Sequence, residues 1–214
     1  MNEEKKVIII GTGGQALEVA DSLRHDDRYE LIGYITPENT LEYNGTPVLG
    51  NDDHLPTLIK QHKGLCAIVA LGEPKLREKL FKVVDELGYE IISVVNPHSY
   101  VAESVKIGRG VCVNAGVSVN ADAVIEDGVN LNTNCAIGHE TKIGAFSNIN
   151  PGAALGGKID VGRYCYIGIG ASVIHEIKIG EGAIIGGGAA VVKDIPARVT
   201  AVGVPCKVIK EHKE

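Results

Sequence analysis

Two His-Glu dipeptides, His139-Glu140 and His175-Glu176, are the residues of this chain best suited to moving a proton. A histidine changes charge near neutral pH, and a carboxylate beside it holds the imidazole in one tautomer and raises its basicity, as a general base requires. The dipeptide alone does not say which copy works, and an exposed histidine is usually a plain surface residue. A metal centre needs three convergent ligands; two histidines too far apart to share an ion do not supply them, so no metal is expected.

A second constellation opens the chain. Lys5-Lys6-Val7-Ile8-Ile9-Ile10 reads as a buried parallel strand, followed by Gly11-Thr12-Gly13-Gly14 and then by helical spacing from Gln15 to Arg24. Strand, glycine-rich turn and helix N-terminus together make a phosphate cradle, with Gly13, Gly14 and Gln15 at its mouth. The plain alternative is a tight turn that needs glycine and binds nothing. The second strand, 30–35, ends at Ile35. A dinucleotide fold would place an acidic residue after it for the ribose hydroxyls, and Thr36 stands there, which argues against NAD. A strand over 65–71 running into Gly72, a helix over 75–87 and a strand over 91–95 complete an α/β half-Rossmann domain over 1–96. Four parallel strands are expected, enough for one mononucleotide or nucleotide sugar.

What must position the histidines is a repeat. From Val101 to Val191 an aliphatic residue returns at every sixth position, sixteen times without a gap. A period of six fits neither a helix nor a simple strand; it is the hexapeptide pattern of a parallel β-helix, three hexapeptides to a triangular coil. The residue after each aliphatic is often Gly or Asn, expected to take the corner where positive φ is tolerated. The residue four places on is mostly small. Positions eighteen apart then stack on one edge, so His139 aligns with Gly157, His175 and Lys193. With coils about 4.8 Å apart, His175 should stand roughly 10 Å and Lys193 about 14 Å from His139. Lys193, on the same edge, is the candidate partner for a phosphate. The helix is expected over 97–196, and a C-terminal cap over 197–214 should cover the open strand edges.

Composition narrows the classes. A formal charge of −6, 4% aromatic residues and no Trp give no footprint for nucleic acid. No apolar stretch is long enough to cross a membrane, and the first residues lack the regions of a signal peptide, so a cytoplasmic location is expected. Five cysteines without a C-x-x-C pair read as reduced core residues.

These residues resemble the bacterial hexapeptide-repeat sugar acetyltransferases, the sialic acid O-acetyltransferases and UDP-4-amino-sugar N-acetyltransferases. The matching motifs run through the whole chain: Gly11-Thr12-Gly13-Gly14, Gly72, Val95-Asn96-Pro97, Gly138-His139-Glu140-Thr141, Asn150-Pro151-Gly152-Ala153, Ile167-Gly168-Ile169-Gly170 and Val202-Gly203-Val204-Pro205. The resemblance implies a left-handed β-helix, a homotrimer, acetyl-CoA in the cleft between neighbouring helices, and a nucleotide sugar on the N-terminal domain. It further implies His139 as general base, Glu140 as its orienting carboxylate, and Ile169 and Gly187 with their backbone facing CoA. The family's second histidine, near the thioester, falls at Asn148, which donates a hydrogen bond but does not titrate. The sugar-nucleotide loop matches Gly13, Gly14 and Gln15. The acidic pair usual after the second strand is replaced by Thr36-Pro37. The reaction implied is direct acetyl transfer to a sugar 4-amino group; O-acetylation of a sialic acid, or a scaffold that has lost catalysis, are the competing readings.

Overall fold

The computed structural model describes residues 4–212. Residues 1–3 of the expected first domain and 213–214 of the expected cap lie outside the described residues. The chain divides into two compact units, Met1–Asn96 and Pro97–Glu214.

The first unit is built on β1 (Lys5–Ile10), whose Val7 to Ile10 are buried. A strand apolar on both faces belongs in the middle of a parallel sheet covered by helices. Accordingly β1 pairs in parallel with β2 (Tyr29–Ile35) on one side. Further along the chain come β3 (Glu42–Tyr43), β4 (Thr46–Gly50), β5 (Cys66–Val69) and β6 (Glu90–Ile91). The sheet order is β3-β4-β2-β1-β5-β6, and only β3 runs antiparallel to its neighbour. Five parallel strands therefore stand where four were expected. The addition is β4, which enters through a hairpin whose Asn44 and Gly45 have φ of 50° and 75°. Asn-Gly is the residue pair that such a two-residue turn demands. Its strands are short and carry Pro47 and Gly50, so alternation does not reveal them. The strand expected over 91–95 is two pieces, Glu90–Ile91 and Val94–Val95.

Helices α1 (Gly14–Leu23), α2 (Leu55–Gln61) and α3 (Pro74–Glu86) complete the unit. The carboxylate of Glu73 caps α3, accepting from the backbone N–H of Lys75 at 3.0 Å and of Leu76 at 2.5 Å. Arg77 on α3 is fully buried, and its Nη1 donates to the Leu71 carbonyl, fixing the loop after β5.

The second unit is a left-handed parallel β-helix. Its strands are two residues each, and the register steps by eighteen: Asn130 pairs with Asn148, then Tyr166, then Ile184. The same step joins Ala136 to Ala154 and Lys142 to Asp160 on the other two faces. Within each pair the second residue points inward, so Ile125, Leu131, Ile137, Ile143 and their successors form one buried column. The small residue four places on is buried too. Thr141 and Ser147 bridge coils, donating to the carbonyls of Gly156 at 3.0 Å and Gly162 at 2.9 Å.

The corner differs from expectation. From Ile107 to Ile185 positive φ falls on the third residue after each aliphatic, at Gly116, Gly128, Gly152 and Gly170 but also at Asn134, Glu140, Phe146 and Tyr164. The glycine directly after the aliphatic answers another constraint, the approach of the next coil. A Cβ on Gly138 would stand 2.3 Å from the backbone of Gly156. Asparagines at that position form a ladder instead: Asn114 donates to Asn132 at 3.3 Å and Asn132 to Asn150 at 3.5 Å.

The coil also runs on past Val191. Ile179 bridges to Ile195, and Ile185 pairs with Ala201, a step of 201 − 185 = 16 instead of eighteen. Val199–Val202 then turns back through Val204-Pro205 to Lys207–Glu211, an antiparallel strand laid along the last coil.

Candidate functional site

In the first unit a cavity of about 320 Å³ opens at the C-terminal ends of the parallel strands. Its wall includes Gly11, Thr12 and Gly13 after β1, Ile35, Thr36 and Glu38 at and beyond the end of β2, Asp52 beyond β4 and Leu71 beyond β5. Thr12 and Thr36 share a hydrogen bond of 3.0 Å between their hydroxyls.

The glycines of the turn divide into two kinds. Gly11 has φ +118°, and a Cβ there would lie 2.8 Å from the Ala70 carbonyl oxygen, so the turn itself requires it. Gly13, Gly14 and Gly72 have no such conformation, and a Cβ on any of them would meet nothing within 4 Å. The protein does not need glycine at those three positions. Glycine there leaves backbone that a ligand can approach closely. Gly13 caps α1 with no side-chain hydrogen bond and no acidic residue in the first turn, an arrangement that suits an anion at the helix N-terminus. Gln15 follows, its Nε2 buried with no partner among the described residues. The Tyr43 hydroxyl donates to the Gly13 carbonyl at 3.4 Å from the hairpin that the sequence reading missed.

In the second unit His139 stands on the corner that follows Ala136–Ile137. Its Nδ1 lies 2.9 Å from Oε2 of Glu140, with the two side chains 60% and 51% exposed. Glu140 is the corner residue itself, with φ +57°, and its N–H is held by the Ala121 carbonyl at 2.9 Å. With Nδ1–H donating to the carboxylate, Nε2 keeps a lone pair able to accept a proton. Nε2 lies over Gly157, one coil on: a Cβ at Gly157 would be 2.5 Å from it.

His175 occupies the same edge with Glu176 at φ +61°, but among the described residues its ring has no hydrogen bond to that carboxylate. Lys193 closes the column, exposed. Ile169 and Gly187 are stacked on each other, the absent Cβ of Gly187 falling 3.3 Å from the Ile169 carbonyl oxygen. They belong to a different corner, the one after Tyr166–Ile167, where Ile169 is 62% exposed. Asn148 sits in the strand Asn148–Ile149, 3% exposed in the single chain, its Oδ1 accepting from Asn130 at 3.2 Å. The structure thus joins His139, Glu140 and Gly157, and separates them from Ile169 and Gly187 by one corner of the coil. Two larger cavities, of about 520 and 510 Å³, lie on the face that carries Lys106–Ile107 and Lys178–Ile179, away from His139.

Sequence reasoning missed Glu38 and Asp52 on the first cavity, and Tyr43, which holds the Gly13 carbonyl beside it. The available signal was Asn44-Gly45, which marks the hairpin and hence the strand that delivers Asp52.

Residues 6–84 match the PglD N-terminal domain family. The fold is shared over nearly its whole length with perosamine N-acetyltransferase from Caulobacter crescentus, solved as a histidine-to-asparagine variant with CoA and GDP-perosamine. Identity is 37%, covering 96% of this chain and 97% of that one, with a TM-score of 0.91. The chain belongs to the bacterial sugar acetyltransferases. The acetyltransferase domain of PglB from Neisseria gonorrhoeae, solved with acetyl coenzyme A, is 31% identical over 97% of this chain and 100% of that one, with a TM-score of 0.92. WeeI from Acinetobacter baumannii is 26% identical over 96% and 100% of the two chains, with a TM-score of 0.86. No curated protein sequence matches the chain. As a member of this family the chain is an enzyme whose cosubstrate is acetyl-CoA. Among the described residues no helix is long and apolar enough to cross a membrane, and no group of three or more His, Cys, Asp or Glu could hold a metal ion.

Proposed function

We propose that this chain transfers the acetyl group of acetyl-CoA to the 4-amino group of a nucleotide-linked amino-dideoxy sugar, in cytoplasmic glycan biosynthesis. The observation that carries the reading is His139 held at 2.9 Å by Glu140 with Nε2 directed over a glycine. Its support is the likeness, over nearly the whole chain, to an enzyme solved with CoA and GDP-perosamine. That structure carries Asn in place of one histidine, and another structure of the same enzyme carries Ala there.

An amino sugar is mostly an ammonium at neutral pH and has no lone pair to attack with. Nε2 of His139 takes one proton, and Glu140 stabilises the imidazolium that results. The amine nitrogen then bonds to the acetyl carbon as the carbon–sulfur bond breaks, and the second amine proton ends on the thiol. General-base help of this kind contributes about 10²- to 10⁴-fold. The glycine turn holds the nucleotide, with Gly13, Gly14, Gln15, Ile35, Thr36 and Gly72 around it.

The residues fit CoA only across copies. Ile169 offers exposed aliphatic surface and Gly187 open backbone, on a corner other than that of His139. A homotrimer, which sets one copy's His139 edge against its neighbour's Ile169 edge, assembles both halves. Lys193 serves a CoA phosphate, and Asn148, engaged by Asn130, has a positioning role.

The test is thiol release from acetyl-CoA against UDP-, dTDP- and GDP-linked 4-amino-4,6-dideoxy sugars and free sialic acid. Turnover on one nucleotide amino sugar that collapses in His139→Ala is expected. Turnover on sialic acid alone overturns the reading.

A further inference from the structure

The cavity of the first unit carries two carboxylates, Glu38 and Asp52, and no lysine or arginine on its wall. Both side chains are exposed, and neither has a hydrogen-bond or ion-pair partner among the described residues. Their placement follows from the sheet. Strands β4, β2 and β1 are adjacent and parallel, so their C-terminal ends form a row. Asp52 lies beyond β4, Thr36 and Glu38 beyond β2, and the glycine turn beyond β1. Neighbouring strands stand about 4.8 Å apart, so the row spans about 10 Å, the reach of a nucleotide from phosphate to base.

At the β1 end backbone amides stand in place of cations, at Gly13 and Gly14, where a Cβ would meet nothing. At the β4 end the base meets a carboxylate. We propose that the acceptor sugar is carried on guanosine diphosphate, with Asp52 accepting from guanine N1–H and N2–H and Glu38 accepting from the ribose hydroxyls. This rests on the reading that the cavity holds a nucleotide sugar. Guanine presents two adjacent donors on its pairing edge with no acceptor between them, the pattern that a carboxylate takes in bidentate fashion. Uracil and thymine present one N–H flanked by two carbonyl oxygens, which a carboxylate repels. Adenine and cytosine set a ring acceptor beside their amino group.

The experiment is calorimetric titration of the full-length protein with GDP, UDP and dTDP, in the wild type, Asp52→Asn and Glu38→Gln. GDP is expected to bind about tenfold or more tighter than UDP or dTDP, as a charged hydrogen-bond pair implies. Asp52→Asn should erase most of that preference, and Glu38→Gln should weaken all three nucleotides alike. CoA affinity, measured on the same samples, should not change, which establishes that the variants are folded. UDP or dTDP binding as tightly as GDP overturns the guanine assignment, and so does a GDP preference that survives Asp52→Asn. Acetylation of a UDP or dTDP amino sugar with weak GDP binding leaves the acetyltransferase reading standing and removes this one. Absence of binding by any nucleotide, with no nucleotide sugar acetylated, removes both.

Discussion

Gly157 lies directly beneath the ring of His139, so close that a β-carbon on it would stand 2.5 Å from Nε2 and 2.6 Å from Cε1. The imidazole has its place because the residue one coil on has no side chain. Gly157→Ala should therefore swing the ring off its position while leaving the aliphatic column intact. A displacement of about 1 Å at a reacting group costs on the order of 10²-fold. Steady-state kinetics should give kcat down by about that factor with CoA affinity unchanged; unaltered kcat would mean that the ring does not work from this position.

Glu140 and Glu176 share the left-handed corner conformation, but only Glu140 meets its histidine, at 2.9 Å. Glu140→Gln is expected to lower kcat by about 10- to 100-fold through loss of the charge that favours the imidazolium. Glu176→Gln should change little. Equal losses in the two variants would show that the hydrogen bond is not what distinguishes His139.

Gly13 is not needed by the fold: its φ is −93° and no atom lies within 4 Å of the missing Cβ. Gly13→Ala should shift stability by only about 0.5 kcal/mol, since alanine is a slightly poorer helix cap. It should nevertheless raise KM for the acceptor severalfold, because the methyl group occupies the ligand's approach. Thermal melting and acceptor kinetics on one sample distinguish this from a merely structural turn.

Burial pushes the Cys135 thiol up to about 12 and the Cys165 thiol up to about 11 from the ordinary 9.0. The unfolded chain ionises these thiols just above pH 9, and the folded chain holds them neutral. The stability they contribute is complete below pH 9 and is lost between pH 9 and about 11 to 12. Urea midpoints measured from pH 8 to 11 should fall on the alkaline side, and fall less in Cys135→Ala once its lower starting stability is subtracted.

The period of six was legible because an inward side chain admits little but aliphatic residues, and sixteen positions repeat the same demand. The corner was not. Its left-handed site takes Glu140, Phe146 and Tyr164 as well as glycine, so no residue type marks it. The glycines that do stand out, such as Gly138, are there for contact between coils, which sequence spacing does not distinguish from a turn. The His139-Glu140 pair was readable as a dipeptide, but not its preference over His175-Glu176, which rests on one side-chain hydrogen bond. In the first unit the buried strand announced itself through Val7 to Ile10. The hairpin that brings Tyr43 to the Gly13 carbonyl and Asp52 to the cavity was marked by only two residues, Asn44 and Gly45, and its strands were too short to show alternation.

The unbroken step of eighteen makes the β-helix a ratchet with three teeth. Removing six residues between Glu140 and Ile169, at matching points of two hexapeptides, keeps every aliphatic residue inside and every strand on a partner. Yet it turns everything downstream by a third of a revolution, and Ile169 and Gly187 then arrive on the third edge, that of Ala145 and Arg163. Such a chain folds and has no site. Removing eighteen shortens the rod by one coil and returns each side chain to its own edge. Over its repeats, then, the length of this protein is free to change only in whole turns if the chemistry is to survive.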